Sequence, residues 1–190
     1  MKILAINTAL KESAIALIDG KKVIYEKSWK SSSDEAEKLM PEIDKMLKKS
    51  KADYGEIKKI IVLKGPGSFT GIRIGITAAN TISYLLKAPI YSLTTFDYLY
   101  EKFKKYPTIL YAGRKEVYTK SSAKEDQIIH LGTEVEGHFY GELLDEQEKL
   151  FEKIKLEKSK KTFGQVIANL SPKSLKKEKI VEPLYIKKPF

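Results

Sequence analysis

An α/β fold is predicted by three features of this sequence. Apolar runs of strand length recur through the first half, two segments carry apolar residues at helical spacing, and a glycine-rich turn, Gly65 to Gly75, joins a strand to a helix. In chain order the first half reads strand, strand, strand, helix, strand, helix.

Each element has a local reason. Lys2 to Asn7, Ser13 to Asp19 and Lys22 to Trp29 alternate or run apolar, and Asp19-Gly20 is a strong hairpin signal, so the chain is expected to open with a three-strand meander. Ser32-x-x-Glu35 offers a capping box for a first helix that runs to about Lys49, with Leu39, Ile43, Met46 and Leu47 on one face. Pro41 is expected to kink that helix or to mark its true first turn. A strand over Lys59 to Lys64 leads into the glycine turn, and a second helix follows from about Thr70 to Leu86.

That second helix has two stripes. Gly71, Gly75, Ala79 and Ser83 lie four apart, and Ile74, Ala78, Ile82 and Leu86 form an apolar row beside them. Glycine within a helix costs about 1 kcal/mol against alanine, so its repetition calls for close approach of another element. A helix of a partner and the chain's own first helix both satisfy the periodicity. Beyond Pro89 come a strand over Ile90 to Leu93 and a short helix ending near Lys105, capped by a threonine of Thr94-Thr95. Strands are predicted over Thr108 to Ala112, Val117 to Ser121 and Gln127 to Leu131. A charged amphipathic helix follows over Glu142 to Lys161, with Leu143, Leu150, Phe151 and Ile154 as its apolar side. A short helix over Phe163 to Leu170 and a closing strand over Val181 to Ile186 complete the chain, with a soft boundary near Tyr100 to Pro107.

Composition narrows the chemistry. The 190 residues suit one domain or one domain with a small appendage, and 42% hydrophobic with 32% charged residues describes a globular protein. No apolar run approaches a membrane span, and Met1-Lys2-Ile3-Leu4 has no signal-peptide character, so a cytoplasmic location is expected. Without cysteine, disulfides, thiol catalysis and thiolate metal sites are excluded. Of the net charge of +10, +7 lies between Phe151 and Phe190, where 11 lysines face 4 glutamates. That basic end is either a nucleic-acid contact or solvated surface.

The glycine turn is the candidate site. Gly65, Pro66 and Gly67 let the backbone turn sharply, and Ser68 or Thr70 can accept from the first free amides of the helix after Phe69. Such an N-terminus attracts anions, yet the glycine spacing fits neither the P-loop nor the dinucleotide fingerprint. Arg73 and Arg114 are the only arginines among 33 lysines, which points to a planar contact such as a carboxylate, phosphate or stacked ring. His130 and His138 have no metal-ligand spacing, Ser68 lacks the G-x-S-x-G elbow, and no carboxylate pair stands out.

Several segments together resemble the bacterial TsaB (YeaZ) family. They are Ile3-Leu4-Ala5-Ile6-Asn7-Thr8, the turn Gly65 to Gly75, Ser92-Leu93, Arg114-Lys115-Glu116-Val117-Tyr118 and Pro183-Leu184-Tyr185-Ile186. The resemblance implies an actin-like ATPase or ribonuclease-H-like fold of two related lobes. Residues 1–105 would form the partner-binding lobe and 106–190 a reduced second lobe with a lysine-rich end. It further implies a noncatalytic subunit in the synthesis of threonylcarbamoyl-adenosine in transfer RNA. That subunit pairs with the catalytic TsaD through first-lobe helices, is joined by the ATPase TsaE and forms a homodimer through the same helices when TsaD is absent. No cofactor of its own is implied: ATP and a divalent metal belong to the partners, and tRNA is reached through the complex.

On this reading Leu39, Ile43, Met46, Gly71, Gly75, Ala79 and Ser83 face the partner, and Gly75→Leu or Ala79→Leu is expected to abolish pairing with the fold intact. Asn7 supports the noncatalytic reading, because enzymes of the actin-like fold place a metal-holding aspartate there and an amide is a poor magnesium ligand. The rival reading is a nucleotide-binding protein that uses the turn, with Arg73 or Arg114 as counter-charge. The chain departs from the family at Glu35 and Ala36, where a histidine and a serine are common, at Tyr111, where an aspartate is, and at Lys115, where a glycine is.

Overall fold

The computed structural model describes residues 1–30, 34–113, 115–124, 128–131 and 134–186, with 128–131 described by backbone alone. Its strands and helices in chain order are β1 (Lys2–Asn7), β2 (Glu12–Asp19), β3 (Lys22–Lys30), α1 (Glu35–Lys49), β4 (Ile57–Leu63) and α2 (Phe69–Leu86). There follow β5 (Ile90–Leu93), α3 (Thr95–Phe103), β6 (Thr108–Tyr111), β7 (Glu116–Lys120), β8 (Ile128–Leu131) and β9 (Gly137–Glu142). The chain closes with α4 (Asp145–Leu150), β10 (Ile154–Glu157), α5 (Phe163–Ala168) and β11 (Lys176–Glu178). No helix among the described residues is long and apolar enough to cross a membrane.

Two units emerge. The first contains Met1–Thr95 and Lys161–Phe190, and the second Phe96–Lys160. The sequence places residues 106–190 together, whereas here the chain after Lys161 groups with the first unit.

The first unit is a six-stranded sheet in the order β11-β5-β4-β1-β2-β3. The meander forms as expected: β1 and β2 are antiparallel, and Asp19 pairs with Lys22 across the two-residue loop Gly20-Lys21. Gly20 there has φ of 60°, the left-handed conformation that this hairpin turn requires. Strand β4 joins β1 in parallel and β5 joins β4 in parallel. Such pairs need crossovers, and α1 and α2 supply them.

Both faces of the sheet are covered at its centre, which is why Ala14 to Ile18 is a continuous apolar run. On one face, a Cβ added at Gly75 of α2 would lie 3.5 Å from Ile6 Cγ2 of β1. On the other, a Cβ at Gly164 of α5 would lie 3.2 Å from Ala16 Cβ, the cross-strand partner of Ala5. Alanines at both positions leave room for that helix. Helix α1 runs through Pro41 without interruption, and Asp34 rather than Ser32 stands at its N-cap position; Ser32 lies outside the described residues.

The second unit is a five-stranded sheet in the order β10-β9-β6-β7-β8. Its core joins Ile109, Val117, Val135, Phe139, Leu143 and Phe151. The helix expected over Glu142 to Lys161 is broken into the end of β9, the short α4 and β10. Ile154-Lys155-Leu156-Glu157 also alternates with period two, and parallel pairing with β9 selects that pattern over the helical one. Leu143 and Phe151 are buried as expected, but Leu150, assigned to the same helical face, is 48% exposed.

The closing strand expected over Val181 to Ile186 is also absent. A three-residue strand, β11, pairs with β5 through Lys176 to Ser92 and Glu178 to Ile90 instead. Pro183 cannot donate to a sheet ladder, and the segment finds its hydrogen bonds at Asn80 of α2 and at Lys64 just after β4.

Candidate functional site

The glycine turn is held on three sides within the first unit. The β1 end approaches first: Ser68 N donates to Ala9 O at 2.8 Å and Thr8 Oγ1 to Gly71 O at 2.6 Å. From the start of α3, Thr95 N donates to Gly65 O at 2.9 Å and its hydroxyl to Pro66 O at 2.6 Å. Leu184 of the tail donates its amide to Lys64 O at 2.7 Å. Gly67, at φ of 157°, has no room for a side chain because a Cβ would come within 2.1 Å of Ala9 O. Ser68 caps α2 as expected, its hydroxyl accepting from Gly71 N at 3.2 Å, while Thr70 is exposed. Of the two threonines offered as caps for α3, Thr95 is the first residue of the helix and gives its hydroxyl to the turn.

The small-residue stripe turns inward. A Cβ at Gly71 would lie 1.9 Å from Thr8 O, and one at Gly75 would lie 2.2 Å from Thr8 Oγ1. Ala79 is fully buried, and the half-buried Ser83 donates to Ala88 O at 2.7 Å. The glycines thus let α2 settle on the chain's own first strand. This corrects the expectation that Gly71, Gly75 and Ala79 face a partner: the glycines approach the end of the chain's own first strand and Ala79 is buried, while Ser83, expected on the same face, is half-buried at the helix end. Ile43 and Met46 are likewise 0% exposed core residues.

What faces outward is the neighbouring row. An apolar groove of about 680 Å³ lies between α1 and α2, lined by Ala36, Leu39 and Met40 on one side and Ile74, Ala78 and Leu85 on the other. Leu39, the one predicted interface residue of α1 that reaches the groove, forms its floor at 1% exposure. Leu85 is 70% exposed. Tyr54 lines the groove too and donates to Asp44 Oδ1 at 2.7 Å; burial, then that carboxylate, pushes its phenol well above the usual range. Ile74 and Ala78 were visible in the sequence as the apolar row beside the glycines. Met40 and Leu85 carried no signal of their own.

Arg73 reaches a stacked ring, one of the contacts its sequence context suggested. Its guanidinium carbon lies 3.9 Å from the Phe69 ring centre, and its Nε donates to Tyr185 Oη at 2.9 Å. Phe69 and Tyr185 rings are 5.0 Å apart. The tail runs along α2, where Asn80 brackets Val181 by donating to its carbonyl and accepting from its amide, each at 3.0 Å. Arg114 lies outside the described residues.

Asn7 is 2% exposed and fully engaged. Its Nδ2 donates to Glu12 O at 2.8 Å, and its Oδ1 accepts from Ala9 N at 3.0 Å and Leu10 N at 3.3 Å. The amides following β1 are therefore turned onto the chain's own side chain. Among the described residues no three His, Asp or Glu side chains gather as metal ligands. His138 stacks on Tyr140 at 5.4 Å in the second unit, and the side chain of His130 is outside the described set.

A polar anchor ties β11 to the sheet. Glu178 Oε1 accepts from Lys64 Nζ at 2.9 Å and from the Ser92 hydroxyl. Burial pushes the Glu178 carboxyl up, but the bonds from Ser92 and Lys64 outweigh it and hold the group below its usual range. A lowered folded pKa gives stability that is complete above the unfolded value and lost as pH falls through the folded one. Glu178→Gln is therefore expected to lower Tm at pH 7, and the gap to the parent is expected to close below about pH 4. Melting curves from pH 7 to pH 3 check this; a gap independent of pH contradicts it.

Comparison with known proteins agrees with this architecture. The family model "TsaD: tRNA N6-adenosine threonylcarbamoyltransferase" matches residues 30–181. A tRNA threonylcarbamoyladenosine biosynthesis protein TsaB from Buchnera aphidicola subsp. Schizaphis graminum is 35% identical over 127 residues, 66% of this chain and 57% of that protein. Its counterpart from Buchnera aphidicola subsp. Acyrthosiphon pisum is 30% identical over 158 residues, 80% of this chain and 68% of that protein. The TsaB of Bacillus subtilis is 32% identical over 123 residues, and this chain spans 54% of its length. YeaZ from Pseudomonas aeruginosa superposes with a TM-score of 0.68 at 15% identity, over 88% of this chain and 89% of that one.

Proposed function

Because the chain belongs to the TsaB family, with the TsaD family model covering residues 30–181, we propose that it is a noncatalytic scaffold subunit in tRNA threonylcarbamoyl-adenosine synthesis. The observation that carries this reading is the apolar groove between α1 and α2. Apolar surface of that kind, with Leu85 70% exposed at its edge, marks a protein contact. We take its occupant to be the corresponding helices of a TsaD-like catalytic subunit, which the docking stabilises in its active conformation. A TsaE-like ATPase joins them, and the same groove serves a homodimer when the catalytic subunit is lacking.

The noncatalytic part is supported by the first strand. An actin-like nucleotide site needs a carboxylate for the metal and free amides for phosphate, whereas Asn7 is neutral and its carbonyl takes the Ala9 and Leu10 amides. Arg73, the described one of the two candidate counter-charges, is stacked on Phe69 and bonded to Tyr185. ATP and the divalent metal are accordingly assigned to the partner subunits.

Copurification from cells expressing both subunits tests the proposal. Ala78→Glu and Leu85→Glu put a carboxylate on the groove without entering the core, and burial of an unpaired charge is strongly opposed. Each is expected to abolish pairing with the TsaD-like subunit while the isolated variant melts within about 2 °C of the parent. Retained tight pairing by both variants would overturn the docking face.

A further inference from the structure

At the far end of α2 the surface changes character. A cleft of about 780 Å³ lies between that end and the edge strand β11, lined by Tyr84, Leu85, Lys87, Lys177, Glu178 and Lys179, among others. Its three lysines are exposed, and among the described residues none of them has an ion-pair partner. That separates them from Lys2, Lys45, Lys64, Lys104 and Lys153, each of which faces a carboxylate. The carboxylate in the cleft, Glu178, is already spent on Lys64 and Ser92. The helix end adds little negative charge, because Ser83 O and Tyr84 O accept from Ala88 N at 3.1 Å and Lys87 N at 3.4 Å. A net positive cleft remains. Tyr84 stands at its edge with 84% of its surface exposed, an aromatic ring left open by the described residues.

Unpaired cations beside an open ring are the two elements that bind nucleic-acid strands: ammonium groups replace condensed counterions at phosphates, and the ring stacks on a base. We infer that this cleft binds the sugar–phosphate backbone of RNA, with Lys87, Lys177 and Lys179 as phosphate contacts and Tyr84 as a stacking platform. The inference rests on the proposed role in tRNA modification only in choosing RNA as the strand. Leu85 lines both this cleft and the docking groove, so RNA held here lies next to the surface assigned to the catalytic subunit.

The test is fluorescence anisotropy of the full-length chain with an unmodified tRNA transcript between 50 and 200 mM salt. Lys87→Gln/Lys177→Gln/Lys179→Gln is expected to weaken binding about tenfold or more and to reduce the slope of log K against log salt by about 2 to 3. Tyr84→Ala is expected to weaken it about tenfold with the slope unchanged. The control Lys21→Gln/Lys22→Gln/Lys27→Gln removes the same charge from the β2–β3 hairpin and is expected to leave binding within about twofold. Equal losses in both triple variants, or none in the first, would overturn the inference. Competition by poly-glutamate as effective as competition by RNA would overturn it too, in favour of an acidic protein surface. Because the isolated chain is used, Ala78→Glu is expected to retain RNA binding, so failure of docking and failure of RNA binding are read separately.

Discussion

Gly71→Val is expected to destabilise the first unit by about 3 kcal/mol or more, because overpacking at a contact that cannot relax lies at the upper end of such costs. The first added carbon would lie 1.9 Å from Thr8 O, a backbone atom in the loop that follows β1. Thr8 is itself tied to α2 by its hydroxyl bond to Gly71 O. Neither the helix nor the strand can yield without losing that bond and the neighbouring one from Ser68 N to Ala9 O. A Tm lowered by roughly 6 to 12 °C follows for a chain of this size. Gly75→Leu meets Thr8 Oγ1 in the same way and is expected to behave alike, so it reports on folding and not on partner choice. Thermal melts decide the matter. If Gly71→Val melts like the parent, α2 does not rest on β1 as described.

Gln147→Leu is expected to cost about 2 to 3 kcal/mol in the second unit. Gln147 is 1% exposed, and its amide does three jobs. Its Nε2 donates to Gly113 O and, at 3.2 Å, to Glu116 O, which closes the mouth of the β6–β7 hairpin. Its Oε1 accepts from Leu144 N at 3.3 Å at the start of α4. Leucine has similar volume, so the loss is chiefly of hydrogen bonds: the half-buried Gly113 O and Leu144 N lose these partners. Denaturant melts give the cost, and faster exchange of the amides of β6 and β7 shows where it falls. A melt unchanged by the substitution would mean that water satisfies those groups.

The meander was legible because Asp19-Gly20 forces a hairpin and both flanking strands carry strand-type patterning. The second helix was legible to within a residue, since Ser68 caps it and its apolar row has helical spacing. The stretch over Glu142 to Lys161 was not, because Ile154 continues the helical row of Leu143, Leu150 and Phe151 and also begins the strand-like alternation Ile154-Lys155-Leu156-Glu157. Only the free edge of β9 decides between them. The site shows the same limit. Spacing identified Gly71, Gly75 and Ala79 as a close-contact stripe and left open what they contact.

By itself the sequence determined the α/β class, the glycine turn as a strand-to-helix joint, the absence of thiol chemistry and the resemblance to TsaB, since each depends on residue type and local spacing. The tertiary structure alone decided which side of α2 faces inward, that the chain after Lys161 returns to the first sheet, and that Arg73 stacks on Phe69 beside Tyr185. Those outcomes rest on contacts between residues distant in sequence. Asn80 and Val181 are 101 positions apart, and Arg73 and Tyr185 are 112 apart. Local periodicity fixes which face of an element is small or apolar; what covers that face depends on where the rest of the chain comes to lie.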